Sequence, residues 1–261
     1  MANPFFQCKE FIVHQQHTSM KVCTDACLFG AWVSNKALVQ NGNSIVDIGT
    51  GTGLLSLMLA QVTESSKASI TAIEIESQAA AEASSNFNIS KWSDRLVLVN
   101  NSIQNFTANI GKGEFVSKGS NNNFLFDIVI SNPPFYEGDL KSPDTNKNKA
   151  AHSTELPWSI LVENVSSVLS DGGSFFVLVP TLRAYTMQKL AEANHMYLAE
   201  EVLVYNDAKH LPFRSFLHFQ KNRNTPDKGN SVLRNKIVIK NADNTYSTAF
   251  TELLKDYYLH L

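Results

Sequence analysis

Cysteine is scarce: Cys8, Cys23 and Cys27 are all that 261 residues contain. No pair is spaced CxxC, so neither a disulfide framework nor a zinc site is expected, and no metal is. Cys23 and Cys27 stand four apart and read as small core residues on one helix face. Long apolar runs are missing too. Nothing approaches the ~18 residues that would span a bilayer, so no membrane partner is expected. The opening MANPFFQCKE lacks a charged stretch followed by an apolar one. It therefore does not read as a signal peptide, and a cytoplasmic protein is expected. Charge is modest, at 18% of residues and net −2. There are no internal repeats and no composition break sharp enough to mark a second domain.

The charge that is present is unevenly placed. Between Lys209 and Lys240 lie Lys209, Arg214, Lys221, Arg223, Lys228, Arg234, Lys236 and Lys240, opposed only by Asp227. Such asymmetry suggests a polyanion partner; a solvated loop with snorkelling lysines is the plainer alternative.

FFQCKEFIVHQQ alternates apolar and polar residues and predicts an exposed strand or hairpin. TDACLFGAWVSNKAL predicts a helix that Thr24 can cap. SIVDIGTGTGLLSLMLAQ reads as a strand to Ile48, a glycine turn and a helix from about Leu54. Further strands are expected at ASITAIEIE, RLVLVNNS, FDIVIS and SFFVLVP. Helices are expected at SQAAAEASSNFNIS, with Ser77 as cap, at PWSILVENVSSVLSDGG, with a glycine stop, and at RAYTMQKLAEANHM. LAEEVLVY and RSFLHFQ read as late strands able to pair antiparallel. NKIVIK and YSTAFTELLKDYYLHL add a strand and an amphipathic helix. Residues 111–123 are rich in Gly, Ser and Asn and predict a loop.

Alternating strands and helices predict an α/β fold with a mainly parallel, doubly wound sheet. Residues 1–261 are expected to form one domain. Within it, 1–38 form an N-terminal hairpin and helix, 44–220 the core, and 230–261 a C-terminal strand-helix extension.

VDIGTGTG places Gly49, Gly51 and Gly53 between a buried strand and a helix start, where positive φ and close approach to a ligand need glycine. The GxGxxG dinucleotide pattern fails, because its last position falls on Leu54 or Ser56; this argues against a dehydrogenase. Glu74 ends the second strand, where a carboxylate can accept hydrogen bonds from both ribose hydroxyls. Glycines spaced by two, Asp47 before them and an acid ending strand two resemble the Rossmann-like class I methyltransferases that use S-adenosyl-L-methionine. That resemblance covers Asp47 to Glu74. It implies that Asp47 and the turn hold the methionine and ribose parts, that Glu74 clamps the ribose, and that Ile75 packs on the adenine.

FDIVISNPPFYEG then ends a strand on Asn132, Pro133 and Pro134, followed by Phe135 and Tyr136. An aromatic amine is a poor nucleophile because its lone pair is delocalised into the ring. Two acceptors on its N–H groups localise that pair, and the Asn132 side-chain oxygen and Pro133 carbonyl can be those acceptors. The prolines fix both without adding a donor. Phe135 offers a stacking face, an interaction worth ~1–3 kcal/mol per base. The motif resembles that of methyltransferases acting on planar amino nitrogens: adenine N6, guanine N2, or the glutamine of release factors.

The chain as a whole resembles the bacterial tRNA(Val) adenine-37 N6-methyltransferases. The likeness runs through FQCKEFIVHQ, MKVCTDACLFGAW, VDIGTGTGLLSLMLAQ, AIEIESQAAAEASSN, FDIVISNPPFY, LPFRSFLHF and YSTAFTELLKDYYL. It implies Lys21, Thr24 and Asp25 near the methionine end of the cofactor, and tRNA as partner. Against the family's pattern, Ser102 stands where an aspartate usually meets the cofactor adenine, with Asn100 or Asn101 as possible substitutes. Ala150, Ala151 and His152 replace Ala-Arg-His. Phe135 replaces a frequent tyrosine. Substrate contacts are expected from Pro134, Tyr136, His152, Lys209, Arg214, Lys221 and Arg223, with Lys141, Lys147 and Lys149 adding charge. Guanine-N2 methylation of ribosomal RNA and glutamine methylation of a release factor are the competing enzyme readings. A cofactor- or RNA-binding module without catalysis is the non-enzyme one. A monomer is expected.

Overall fold

The computed structural model describes residues 3–18, 20–110, 125–134, 156–221 and 231–261. Phe135, Tyr136, Lys141, Lys147, Lys149, Ala150, Ala151, His152, Arg223 and Lys228, all named above, lie outside them.

Ten strands are described. β1 (Phe5–Gln7) and β2 (Ile12–His14) form the antiparallel hairpin expected at the N-terminus. The rest build one eight-stranded sheet: β3 (Ser44–Ile48), β4 (Ser69–Glu74), β5 (Leu96–Asn100), β6 (Phe126–Ser131), β7 (Leu169–Pro180), β8 (Met196–Asp207), β9 (Arg214–Lys221) and β10 (Leu233–Lys240). Their order is β10-β8-β9-β7-β6-β3-β4-β5. From β7 to β5 neighbours run parallel. β9 runs against both of its neighbours, and β10 returns parallel to β8.

The parallel strands are nearly continuous Val/Ile/Leu/Phe runs because helices cover both faces. Successive side chains alternate between the two cores. Ile45, Ile128, Ile130, Phe176 and Leu178 enter the first. Val46, Ile48, Val129, Phe175, Val177 and Val179 enter the second. The first is filled by α1 (Thr24–Ser34), α3 (Leu54–Val62), α4 (Ser77–Asn88) and α8 (Thr248–Leu254). The second is filled by α5 (Ile103–Ile110), α6 (Trp158–Val168) and α7 (Ala184–Ala193). A short α2 (Ala37–Gln40) precedes β3.

Several local expectations are corrected. Thr24 does not cap α1; it is the first helical residue, and Cys23 occupies the cap position without a side-chain bond. Ser77 does not cap α4. The Glu76 carboxylate does, accepting the N–H of Gln78 (3.1 Å) and Ala79 (2.6 Å), because its two oxygens reach two of the orphan donors of the first turn. Gly172 and Gly173 do not stop α6. The chain passes from Val168 directly into β7, which includes both glycines. Helix α5 was absent from the sequence reading altogether.

Candidate active site

β3 and β6 are neighbours from which the chain winds outward in opposite directions, so a crevice opens at their carboxyl ends. Strand register carries the functional residues there. Asp47 lies opposite Ala72 on β4 and Ile130 on β6. Two residues beyond each of these partners stand Glu74 and Asn132. Alternation therefore gives Asp47, Glu74 and Asn132 the same face, the one α1 and α3 cover.

Asp47 is fully buried. Its Oδ2 accepts the hydroxyls of Thr50 (2.6 Å) and Ser56 (2.7 Å). Its Oδ1 has no partner among the described residues. Burial pushes its carboxyl up to about 6, against the pull of the two hydroxyls and with the Glu74 charge adding to the rise. A buried carboxylate with one oxygen unanswered is suited to a cationic ligand.

The turn is left-handed at Gly49 (φ 72°), Gly51 (φ 57°) and Gly53 (φ 83°). A Cβ at Gly49 would meet nothing within 4 Å. The N–H groups of Gly49 and Thr50 donate to Ile73 O (2.9 and 3.1 Å), which fastens the turn to β4. Glu74 closes it from the side: Oε2 accepts the Gly51 N–H (2.8 Å) and Oε1 the Glu76 N–H (2.9 Å). Each oxygen keeps a second lone pair for a hydroxyl. Ile75 beside it is 56% exposed.

Asn132 follows the last residue of β6. Its Oδ1 is buried and has no donor among the described residues. Its neighbours are tied down: Ser131 Oγ donates to Ile48 O (2.8 Å), and the indole N–H of buried Trp158 donates to Pro134 O (3.4 Å). The acceptor is thus held at the crevice with no donor among the described residues.

On the far side, Asn100 Nδ2 donates to the carbonyls of Glu74 (2.8 Å) and Ile75 (3.3 Å). Asn101 Oδ1 accepts the Ser102 N–H (2.9 Å). Ser102 Oγ accepts the Asn105 N–H (3.1 Å) and so caps α5.

The N-terminal segment meets this turn. A Cβ on Gly51 would lie 3.9 Å from the Thr18 methyl carbon. Glu82 on α4 accepts the N–H groups of Gln16, His17 and Thr18 and the Thr18 hydroxyl. Four residues on, Asn86 accepts the His14 N–H (2.9 Å) and donates to His14 O and Thr52 O (both 2.9 Å), linking hairpin to turn. Lys21 donates to the carbonyls of Gln15, Gln16 and Thr18. Its ammonium is thereby committed to shaping this segment. Glu82, Asn86, Thr50, Ser56 and Trp158 escaped the sequence reading. The one available signal was the pair Glu82 and Asn86 at i, i+4 spacing in an alanine-rich helix.

The described residues of the basic run do not assemble as one patch. Arg214 donates through Nε to Asp25 Oδ2 (2.8 Å), which locks the start of β9 to the start of α1. Thr24 beside it is exposed. Lys221 is not brought to the site. It ends the antiparallel β9, at the amino end of the parallel strands, and donates to the carbonyls of Ser166 (2.6 Å) and Leu169 (2.8 Å). Arg234 pairs with Glu201 on the neighbouring β8 (3.5 Å). Lys209 remains exposed at the carboxyl end.

Among the described residues, no group of three or more His, Cys, Asp or Glu side chains could hold a metal, and no helix is long and apolar enough to cross a membrane.

Comparison with known proteins adds three findings. Residues 29–196 match the family model described as methyltransferase small domain. The chain is 35% identical to a tRNA1(Val) (adenine(37)-N6)-methyltransferase of Bacteroides thetaiotaomicron, over all of both chains. It is 34% identical to a protein of the same name from Cytophaga hutchinsonii, again over all of both. In fold, it resembles a predicted O-methyltransferase from Agrobacterium tumefaciens, with a TM-score of 0.61 at 14% identity, covering 88% of this chain and 95% of that one.

Proposed function

The chain belongs to the tRNA1(Val) (adenine(37)-N6)-methyltransferase family, with the methyltransferase small domain at its centre, and from that membership we propose that it methylates N6 of an adenine in a tRNA anticodon loop. On this reading residues 1–261 work as one methyltransferase unit, in the cytoplasm where tRNA is found. The cofactor is S-adenosyl-L-methionine, which when bound supplies an electrophilic methyl group on a sulfonium centre.

The residues present suit that cofactor. The unanswered oxygen of Asp47 would accept from its ammonium group. Glu74 uses its remaining lone pairs for the ribose hydroxyls, and the open side of Gly49 leaves room for close approach. Ile75 and Ser102, two residues past β5, would flank the adenine ring.

The observation that carries the reading is the buried, unpartnered Asn132 Oδ1 at the switch point. It accepts one N–H of the target amine, and the Pro133 carbonyl accepts the other. Together they localise the nitrogen lone pair, and pre-positioned acceptors do this without reorganising during the reaction. An anticodon loop suits such a site because its bases are unpaired, so turning one outward costs less than extracting it from a duplex.

The test is to incubate the protein with labelled cofactor and bulk tRNA and digest the product to nucleosides. N6-methyladenosine is expected. Labelled N2-methylguanosine, or label that survives nuclease on a protein, would overturn the assignment.

A further inference from the structure

Beyond the crevice, the carboxyl end of the sheet has a second surface. After β7 the chain makes a 3-10 turn, Thr181–Arg183, and enters α7. β9 begins at Arg214, opposite Pro180. The two segments are fastened together: Thr181 N–H donates to Phe213 O (3.4 Å) and Ser215 Oγ to Thr181 Oγ1 (3.3 Å). On them Leu182 is 98% exposed, Leu211 86% and Tyr185 68%. Leu182 and Tyr185 stand three apart at the turn and share a face. Ser131 lies opposite Val177 on the adjacent, parallel β7, so this rim stands at the same end as Asn132, one strand away.

A single exposed leucine is ordinary. Two leucines and a tyrosine on tied segments at the mouth of a crevice form a surface that favours an apolar or π face. Arg183 sits with its guanidinium carbon 5.1 Å over the ring of Trp158, the residue that holds Pro134. Lys209 is exposed on the neighbouring loop. The acids nearby are occupied: Asp207 by the Lys209 N–H and His210, Asp25 by Arg214. Cations with apolar faces between them match a nucleic acid strand better than a peptide.

We propose that Leu182, Tyr185 and Leu211 receive the bases next to the target adenine in a single-stranded RNA loop, with Arg183 and Lys209 beside its phosphates. This rests on the RNA-methylation reading above. When a base turns outward its neighbours lose a stacking partner, and the rim covers the face so exposed.

The test compares wild type with the doubly substituted Leu182→Ala, Leu211→Ala protein, on tRNA and on a synthetic anticodon stem-loop. Both leucines are exposed, so the melting temperature and the cofactor Kd should stay at wild-type values. The KM for RNA should rise roughly tenfold with kcat little changed, as for a docking contact outside the chemistry. Phenylalanine at both positions, which keeps an apolar face, should restore most of the loss. A wild-type KM in the double alanine protein, with wild type forming N6-methyladenosine, overturns the rim alone. Label on a protein substrate, with a KM that the alanines raise, assigns the rim to a peptide and overturns both readings.

Discussion

Replacing Glu82 by alanine removes one acceptor from four donors. The N–H groups of Gln16, His17 and Thr18 and the Thr18 hydroxyl all converge on this carboxylate. Gln16 and His17 are exposed, so water takes over there. Thr18 is buried and keeps two unanswered donors, which at ~1–2 kcal/mol each gives a loss of ~2–4 kcal/mol. The loss is local, because Asn86 still holds His14 and Val13 stays in the core. Residues 15–18 should therefore open while the sheet does not. Amide hydrogen exchange at Thr18 should accelerate roughly 30- to 800-fold, with Val46 in β3 unchanged. Glutamine keeps one acceptor oxygen and should fall between. Burial opposes the Glu82 charge, but the hydrogen bonds from the Thr18 hydroxyl and the three amides hold its carboxyl below the usual value. A depressed carboxyl contributes stability above its unfolded value and loses it as pH falls through the folded one, so the clamp persists at neutral pH and releases only in acid. Thr18 also adjoins the glycine turn, so cofactor affinity should drop, by at most the roughly 30- to 800-fold that this free-energy range allows. Thr18 protection within twofold of wild type in the alanine protein would refute the clamp.

Asp47 should make cofactor binding pH-dependent. Its folded value is raised to about 6 by burial, so its favourable contribution to the free protein is complete below the ordinary carboxylate value and is lost as pH rises through about 6. That shift corresponds to ~3 kcal/mol. A bound cation favours the ionised form, so affinity should be flat above neutrality and fall by up to tenfold per pH unit below about 6. Calorimetric titration of the cofactor from pH 5 to 8 checks this; a flat profile throughout, or an unchanged slope in Asp47→Asn, would contradict it. Gly53→Ala puts a side chain at φ 83° and its Cβ 2.5 Å from the Phe87 ring. A loss of ~2–4 kcal/mol follows from left-handed strain plus overpacking, seen as a melting temperature lower by about 5–10 °C. An unchanged melting curve would show that the turn relaxes freely.

The central strands were legible because buried parallel strands are continuous apolar runs, and the glycine turn and Asn-Pro-Pro punctuate them. Helix α5 was not, because the strand expected at RLVLVNNS runs on through Asn100, Asn101 and Ser102; Ser102 in fact starts the helix by capping it. Thr24 and Ser77 have good capping side chains, yet position decided the outcome, and Glu76 one residue earlier had the reach. The described part of the basic run is split for a geometric reason. Charge in sequence is one-dimensional, whereas the seven steps of β9 from Arg214 to Lys221 carry the chain ~23 Å to the opposite end of the sheet. Beyond their i, i+4 spacing, Glu82 and Asn86 gave no sign of their role, because their value lies in backbone groups of a segment more than sixty residues away.

The most direct test of the account is Asn132→Ala. Its side chain is half-buried and its oxygen has no partner among the described residues, so folding and cofactor Kd should be preserved. Single-turnover formation of N6-methyladenosine on tRNA should fall by roughly 10²–10³, as on loss of one pre-positioned acceptor. A rate within a few-fold of wild type would show that the chemistry does not depend on Asn132.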